Sequence, residues 1–137
     1  MSKVVLDASA LLALLNEESG SEFVAALIEE GAAMSTVNLS EVVAKLNEAG
    51  MPEEAIHEAL DALGITIVDF DTAFAYKTGL LRLATKKAGL SLGDRACLAL
   101  AGQLGLPAVT TDRVWENLSL GITIQIARSS AKNLPPA

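Results

Sequence analysis

Four acidic residues, far apart along a chain of 137 residues, have the type and setting of metal ligands or acid–base groups: Asp7, Glu41, Asp94 and Asp112. Asp7 is the most unusual, because it lies in an otherwise apolar run and burying a carboxylate is costly. Four carboxylates brought close together would repel one another and shift their pKa values unless cations neutralised them. Carboxylate oxygens are the ligands that Mg²⁺ and Mn²⁺ prefer. If the fold gathers these residues, they predict a divalent metal site.

The elements expected around these acids alternate between short strands and longer helices. Short β-branched runs predict strands at residues 3–6, 32–36, 65–70, 107–110 and 122–126. Apolar residues at helical spacing predict helices at residues 8–16, 21–30, 39–49, 52–63, 71–88 and 92–104, with a short helix around 115–118. This alternation predicts an α/β fold, a single domain whose central, mostly parallel sheet of about five short strands carries helices on both faces.

Such a fold would bring the four acids to one edge of the sheet. In open parallel sheets, ligands bind outside the carboxyl ends of the strands. Asp7 and Asp112 each follow a predicted strand directly, whereas Glu41 and Asp94 lie at helix starts that face the same edge. We therefore expect the four carboxylates to converge there.

Each acid also has a purely structural interpretation. The spacings N-x-x-E at residues 38–41 and S-x-x-D at residues 91–94 fit capping boxes, in which the acid only stabilises the start of a helix. The other two acids could be ordinary loop residues after a strand. Their joint occurrence at four edge positions favours a functional site over four unrelated structural roles.

Composition narrows the class of protein. Apolar residues make up 51% of the chain and charged residues 20%, which excludes disorder. The single cysteine, Cys97, cannot form an internal disulfide, and no apolar run approaches the length of a membrane span, so we expect a soluble cytoplasmic protein. The net charge of −7 argues against a general nucleic-acid binder. However, residues 1–68 carry two lysines against twelve acids and residues 69–137 eight basic residues against five acids, which allows one acidic and one mildly basic face.

The segments around the four acids resemble the four acidic motifs of PIN-domain ribonucleases, and more narrowly those of the VapC toxins of bacterial and archaeal toxin–antitoxin modules. The segments are VVLDASA at residues 4–10, NLSEV at 38–42, LGDRA at 92–96 and TTDRVW at 110–115. They occur in the order and spacing of the family, and the match runs from Lys3 to about Arg128. Many relatives carry a further acid at the position of Val114.

This resemblance implies a PIN-like nuclease domain over residues 1–128, followed by a flexible tail over 129–137, that hydrolyses RNA phosphodiester bonds with Mg²⁺ or Mn²⁺. Asp7 and Asp94 would be the principal metal ligands, with Glu41 and Asp112 completing the pocket, some of them through water. Side chains expected to orient a ligand or contact a phosphate are Ser9, Thr110, Thr111, Arg95 and Arg113. Ser9 could instead cap a helix, and either arginine could simply pair with a neighbouring carboxylate.

The resemblance also implies partners. A type II toxin is held inactive by a small antitoxin protein, for which the helices of residues 8–63 offer a docking groove, and the helices within 71–104 could form a homodimer. The alternative is a catalytically silent PIN-like module that binds RNA or protein, and the intact acids argue against it. A second motif, DFDTA at residues 69–73, resembles the nucleophile motif of haloacid dehalogenase-like phosphatases, but Asp71 as a helix cap explains it more simply.

Overall fold

Five short parallel strands form the centre of the structure, a computed structural model that describes residues 1–127. The strands are β1 (Val4–Leu6), β2 (Ala32–Ser35), β3 (Thr66–Val68), β4 (Ala108–Thr110) and β5 (Ile124–Ile126). They are ordered β3-β2-β1-β4-β5, and every neighbouring pair is parallel, which confirms the predicted sheet. The tail predicted for residues 129–137 and the domain end at residue 128 lie outside the described residues.

Helices cover both faces of the sheet. They are α1 (Ala8–Leu15), α2 (Ser21–Glu30), α3 (Thr36–Glu48), α4 (Glu53–Asp61), α5 (Thr72–Leu80), α6 (Arg82–Thr85) and α7 (Leu92–Leu104), with a 3-10 helix at Arg113–Asn117. Side chains alternate across a strand, so β1 sends Val4 and Leu6 into the core beneath α1–α4 and Val5 into the core beneath α5 and α7. The prediction of one α/β domain with two covered faces is therefore confirmed.

Helix α3 begins earlier than predicted, because β2 runs into it without a loop. Ser35, the last residue of β2, caps the helix by accepting a hydrogen bond from the Asn38 backbone N–H at 3.1 Å. The alternative interpretation of residues 38–41 as a capping box was therefore wrong, and Asn38 lies inside the helix with a buried side chain. That side chain is free to do something else at the edge of the sheet.

The single helix predicted at residues 71–88 is broken into α5 and α6. Asp71 does cap α5, accepting a hydrogen bond from the Phe74 backbone N–H at 2.9 Å, as predicted. The helix tightens at its end, where the Leu81 N–H donates to the Thr78 carbonyl three residues back. The Thr85 hydroxyl then donates to the Leu81 carbonyl at 2.8 Å, a type of contact that bends helices.

The topology defines where a ligand would bind. From β1 the chain builds outward through β2 to β3, then crosses to β4 and β5 on the other side of β1. The strand order thus reverses beside β1, and the carboxyl ends of β1 and β4 border the crevice at which such sheets bind ligands. Among residues 1–127, no helix is long and apolar enough to cross a membrane.

Candidate active site

Asp7 lies at the carboxyl end of β1 and is only 4% exposed. It is also the N-cap of α1, because its Oδ1 accepts a hydrogen bond from the Ala10 backbone N–H at 2.8 Å. The central strand and the first helix are therefore joined through this one carboxylate. The cap of α1 is Asp7, so the interpretation of Ser9 as the helix cap was wrong.

Two hydroxyl groups hold the Asp7 carboxylate. Ser9 Oγ donates to it at 2.8 Å from Oδ1 and 2.9 Å from Oδ2, and Thr110 Oγ1 donates to Oδ2 at 2.6 Å. Each hydroxyl in turn accepts from a backbone N–H: Ser9 from Thr111 at 3.0 Å and Thr110 from Asp112 at 3.1 Å. Because each hydroxyl oxygen already accepts from a backbone N–H, its single proton is left to donate to the Asp7 carboxylate. The residues after β4 thereby fix the orientation of the acid after β1.

The environment of Asp7 favours its protonated form. Burial raises the pKa of Asp7 from its usual value of 3.8 to about 6, and the negative charge of Asp94 adds to the rise. The hydrogen bonds from Thr110, Ala10 and Ser9 oppose it. A positive charge beside Asp7 would therefore be stabilised strongly.

Asp94 has the structural role that its spacing predicts. The Ser91 backbone N–H donates to Asp94 Oδ2 at 2.9 Å, and the Asp94 N–H donates to Ser91 Oγ at 3.2 Å, which makes a complete capping box at the start of α7. Within the described part of the chain, Oδ1 makes no hydrogen bond. The capping box therefore leaves one oxygen of the carboxylate available to a ligand.

Asn38 positions Glu41, a role that the sequence reasoning missed. Asn38 Nδ2 donates to Glu41 Oε1 at 2.9 Å and to the Gly93 carbonyl at 3.0 Å, while Asn38 Oδ1 accepts from Ser35 Oγ at 2.9 Å. The Glu41 carboxylate lies directly against Gly93, where an added Cβ would collide with it. One buried amide thus joins α3 to the first turn of α7. Its spacing from Glu41 suggested only a helix cap.

Asp112 lies farther out, at the rim. Its side chain is exposed and caps the 3-10 helix by accepting from the Val114 N–H at 3.0 Å. The two candidate phosphate contacts have other partners: Arg113 pairs with Glu116 at 2.9 Å, and Arg95 donates to the Thr78 carbonyl at 3.2 Å.

Three of the four acids lie close enough to Cys97 for their charges to affect its pKa. This fully buried thiol on α7 has a pKa raised by burial and further by the charges of Asp7, Asp94 and Glu41. Within residues 1–127, however, no three His, Cys, Asp or Glu side chains are close enough together to hold a metal ion by themselves. The fold thus brings three carboxylates to one region and leaves Asp112 beside it, without gathering all four into a closed cage.

This donor set fits Mg²⁺ or Mn²⁺. The available ligands are carboxylate and hydroxyl oxygens, and the buried thiol stays protonated. In the described part of the chain, the ion pairs are His57–Glu53 and Arg113–Glu116, so none of the four acids has a cationic partner. Mg²⁺ commonly binds through one or two carboxylates and keeps several waters, which an open edge of this kind allows.

Solved structures share the fold at low sequence identity. The chain is similar to a protein in the crystal structure of DNA-bound VapBC from Salmonella typhimurium, at a TM-score of 0.72 and 23% identity over 93% of this chain and 99% of that one. It is also similar to a chain of a toxin–antitoxin complex from Klebsiella pneumoniae. The TM-score is 0.71 and the sequence identity 18%, over 93% of this chain and 100% of that one. A third similar structure is that of Mycobacterium tuberculosis VapC20, a toxin that cleaves the sarcin–ricin loop. Its TM-score is 0.69 and its sequence identity 16%, over 85% of this chain and 97% of that one.

No curated protein matches the chain significantly. The family model of the PIN domain matches residues 4–119, a span that contains all four acidic segments, from Asp7 to Asp112, and most of the sheet. On this match and on the fold, the chain belongs to the PIN domain family.

Proposed function

We propose that this PIN domain is a Mg²⁺- or Mn²⁺-dependent endoribonuclease and the toxin component of a type II toxin–antitoxin system, acting in the cytoplasm. The observation that carries the proposal is Asp7: a buried carboxylate at the carboxyl end of the central strand, held by two hydroxyls, near Asp94 and with no cationic partner among the described residues. Capping α1 does not require a buried charge, and burying one without a cationic partner costs stability. The similarity to VapC20 and to VapBC complexes supports the same assignment.

In this proposal Asp7 and Asp94 hold the ion, Glu41 faces it from α3, and Asp112 acts from the rim through water. When bound, the ion lowers the pKa of a coordinated water and stabilises negative charge on phosphate oxygens. Ser9 and Thr110 keep Asp7 in one orientation, and Asn38 does the same for Glu41. The exposed rim leaves room for an RNA strand to approach.

The test is cleavage of a defined RNA pool by the wild type, Asp7→Asn and Asp94→Asn with Mn²⁺ or Mg²⁺. Asp71→Asn is the matched control, because Asp71 also caps a helix through its side chain, but it caps α5, and among the described residues its side chain makes no hydrogen bond with any of the four acids. We expect the wild type and Asp71→Asn to cleave, and EDTA and both edge substitutions to abolish cleavage. Equal activity in all four preparations would mean a contaminating nuclease and would remove the support for a catalytic centre.

The competing candidate is a silent PIN-like module that binds RNA or protein. It would show no cleavage in any preparation and no heat of Mn²⁺ binding in calorimetry. Metal binding that Asp7→Asn abolishes would exclude this candidate even if the RNA pool lacked the right substrate.

An apolar groove on the α3–α4 side suits an antitoxin. Its volume is about 530 Å³, with Val43, Ile56 and Leu60 in its walls and Glu53 and Asp61 beside them. We propose that an antitoxin segment with an apolar face and flanking basic residues occupies it, since such a segment would match both the walls and the acidic half of the chain. The similar structures that contain toxin–antitoxin complexes support this partner.

A further inference from the structure

A second concave surface adjoins the proposed catalytic edge. This surface, which we call the α3–α7 cleft, lies where the first turns of α3 and α7 face the chain after β3 and has a volume of about 520 Å³. The side chains that matter below are Thr36, Ser40, Glu41, Phe70, Ser91 and Leu92. Of the residues that line this cleft, only Glu41 also belongs to the proposed metal site, and none lines the antitoxin groove.

The apolar part of the cleft is a half-buried ring beside an exposed leucine. Phe70 is held by Phe74, whose ring centroid is 4.7 Å away in a tilted arrangement. Leu92 is 50% exposed although it opens a helix whose middle, residues 96–101, is buried. Folding gains little from a large apolar side chain there. A flat aromatic ligand between the two would remove both surfaces from water.

The polar part consists of hydroxyl groups with protons to donate. Thr36 Oγ1 accepts from the Phe70 N–H at 3.0 Å, and Ser91 Oγ accepts from the Asp94 N–H. Neither hydroxyl donates a hydrogen bond among the described residues, and Ser40 is exposed beside them. A few hydroxyl donors and acceptors over an apolar floor match the edges of a nucleobase.

Glu41 connects the cleft to the proposed catalytic edge, since its carboxylate lines the cleft and lies against Gly93, next to Asp94. We propose that the α3–α7 cleft binds one unpaired nucleobase of the RNA substrate, belonging to a nucleotide beside the scissile phosphodiester. The inference rests on the proposed function and adds to it a site at which the enzyme recognises a base of its RNA substrate. Among the cleft residues the only charged group is Glu41, which Asn38 already engages, so a neutral heterocycle fits better than a basic peptide side chain.

The first test is binding without catalysis. Wild-type protein with labelled Leu and Ile methyl groups is titrated in EDTA with the dinucleotides ApA, GpG, CpC and UpU and observed by NMR. We expect at least one dinucleotide to shift the Leu92 methyl signals and leave those of Leu104 unchanged. No shift at Leu92 with any dinucleotide, or a shift there only with a basic antitoxin peptide, would overturn the proposal.

The second test is steady-state cleavage by Leu92→Ala and Phe70→Leu, with Leu104→Ala as the matched control. Leu104 ends the same helix and is 42% exposed, but it does not line the cleft. We expect Phe70→Leu to raise KM by about five- to tenfold, Leu92→Ala to raise it by a smaller factor, and both to alter the base preference beside the cut, with kcat nearly unchanged. Unchanged KM and base preference in both variants would overturn the proposal.

The two tests separate this inference from the nuclease proposal. Dinucleotide shifts at Leu92 in a protein that cleaves no RNA would support the cleft as a base-binding site and count against the nuclease. Normal cleavage with no effect of Phe70→Leu or Leu92→Ala would support the nuclease and reject the cleft.

Discussion

Asp7 combines two demands that usually fall on different residues. As the N-cap of α1 it must accept a hydrogen bond from the Ala10 N–H, and as a proposed metal ligand it must carry a negative charge in a buried position. The first demand stabilises the fold, whereas the second costs stability until a cation binds. Asparagine can still cap a helix but has no charge, which makes Asp7→Asn the informative substitution.

The raised pKa of Asp7 predicts an unusual pH dependence of stability in the metal-free protein. The native carboxyl, with a pKa of about 6, binds its proton more tightly than the unfolded one at 3.8, so the free energy of unfolding falls as the pH rises through this window. The full effect is about 3 kcal/mol above pH 7. We expect Asp7→Asn to be more stable than the wild type at pH 8 in EDTA, and the difference to narrow at pH 5, in urea unfolding.

Metal provides the control for this prediction. Saturating Mn²⁺ stabilises only a protein that binds it, so the wild type should gain stability at pH 8 and Asp7→Asn should not. Identical pH profiles of the two proteins in EDTA would contradict the burial of a titrating carboxyl at this position.

Removing one of the hydroxyls that hold Asp7 should weaken metal binding, although the proposed metal ligand itself is unchanged. Thr110→Val keeps the shape of the side chain but removes the donor to Asp7 Oδ2 and leaves the Asp112 N–H without its acceptor. We expect a 10- to 100-fold weaker Mn²⁺ affinity by calorimetry and a destabilisation of about 1 to 2 kcal/mol.

Thr78→Val is the matched control for that variant. Thr78 is equally buried, but its hydroxyl has no hydrogen-bond partner among the described residues, so its replacement should leave both stability and metal affinity unchanged or slightly improved. Equal affinities of the two valine variants would mean that the Thr110 hydroxyl does not orient Asp7.

At the scale of elements, Asn38 connects helices that approach the edge from opposite faces of the sheet. Asn38→Ala would remove the bonds to Glu41, to the Gly93 carbonyl and to the Ser35 hydroxyl. We expect a destabilisation of about 2 to 3 kcal/mol in urea unfolding, because buried polar groups lose their partners. The same variant should lose RNA cleavage as Glu41 becomes mobile.

The control on the same helix is Asn47→Ala. The Asn47 side chain is exposed and, among residues 1–127, bonds only the nearby Met51 carbonyl, so its replacement should cost less than about 1 kcal/mol. Similar costs for both variants would show that the buried amide does not hold α3 to α7.

Much of the fold was predictable from the sequence, because its signals are local. All five strands were predicted, four of them from β-branched runs and β2 from a short apolar run, and Gly105 ends α7 as predicted, with a positive φ of 67° that favours glycine. The start of α3 was missed because Ser35 serves both as the last residue of a strand and as a helix cap. The break after α5 depends on the contact from Thr85 to Leu81, which residue spacing does not reveal.

The candidate site was predictable as a set of acids but not as a geometry. The order of the motifs selected Asp7, Glu41, Asp94 and Asp112 as candidates, and the predicted topology assigned them to the sheet edge. Their separation into a close group and a rim residue depends on hydrogen bonds between segments distant in sequence, such as that between Thr110 and Asp7. The alternative that an arginine pairs with a neighbouring carboxylate is confirmed for Arg113, whose partner is Glu116, whereas the bond from Arg95 to the Thr78 carbonyl was not predicted, because it is set by packing.

For the whole molecule, the uneven charge along the chain becomes a difference between faces. Helices α1–α4 belong to the acidic half and cover one face of the sheet, whereas α5–α7 belong to the mildly basic half and cover the other. Exposed lysines and arginines, among them Lys77, Arg82 and Lys86, lie on the second face. A basic antitoxin and an acidic RNA backbone would therefore be drawn to different sides of one domain.

The basic face also carries the most exposed apolar side chains of the described helices, and we propose it as the surface of a homodimer. Leu80 is 78% exposed and Leu83 89%, and Tyr76 lies one turn before Leu80. We expect the wild type to sediment as a dimer and the double substitution Leu80→Glu with Leu83→Glu to sediment as a monomer with unchanged circular dichroism.

Phe23→Glu is the control for the dimer prediction. Phe23 is an exposed aromatic on α2, on the opposite face of the sheet, and its replacement should leave the dimer intact. A monomeric wild type would contradict the homodimer, and a dimer that only Phe23→Glu dissociates would place the interface elsewhere.

The contact between Glu41 and Gly93 has a consequence for how activity is inferred across this family. Any side chain at position 93, even a methyl group, would push the Glu41 carboxylate out of place. If Glu41 acts as proposed, one glycine codon would therefore be enough to remove activity while every acidic codon stays unchanged. Ranking homologues as active by their four acids alone would count such genes as intact, whereas including this glycine would separate them.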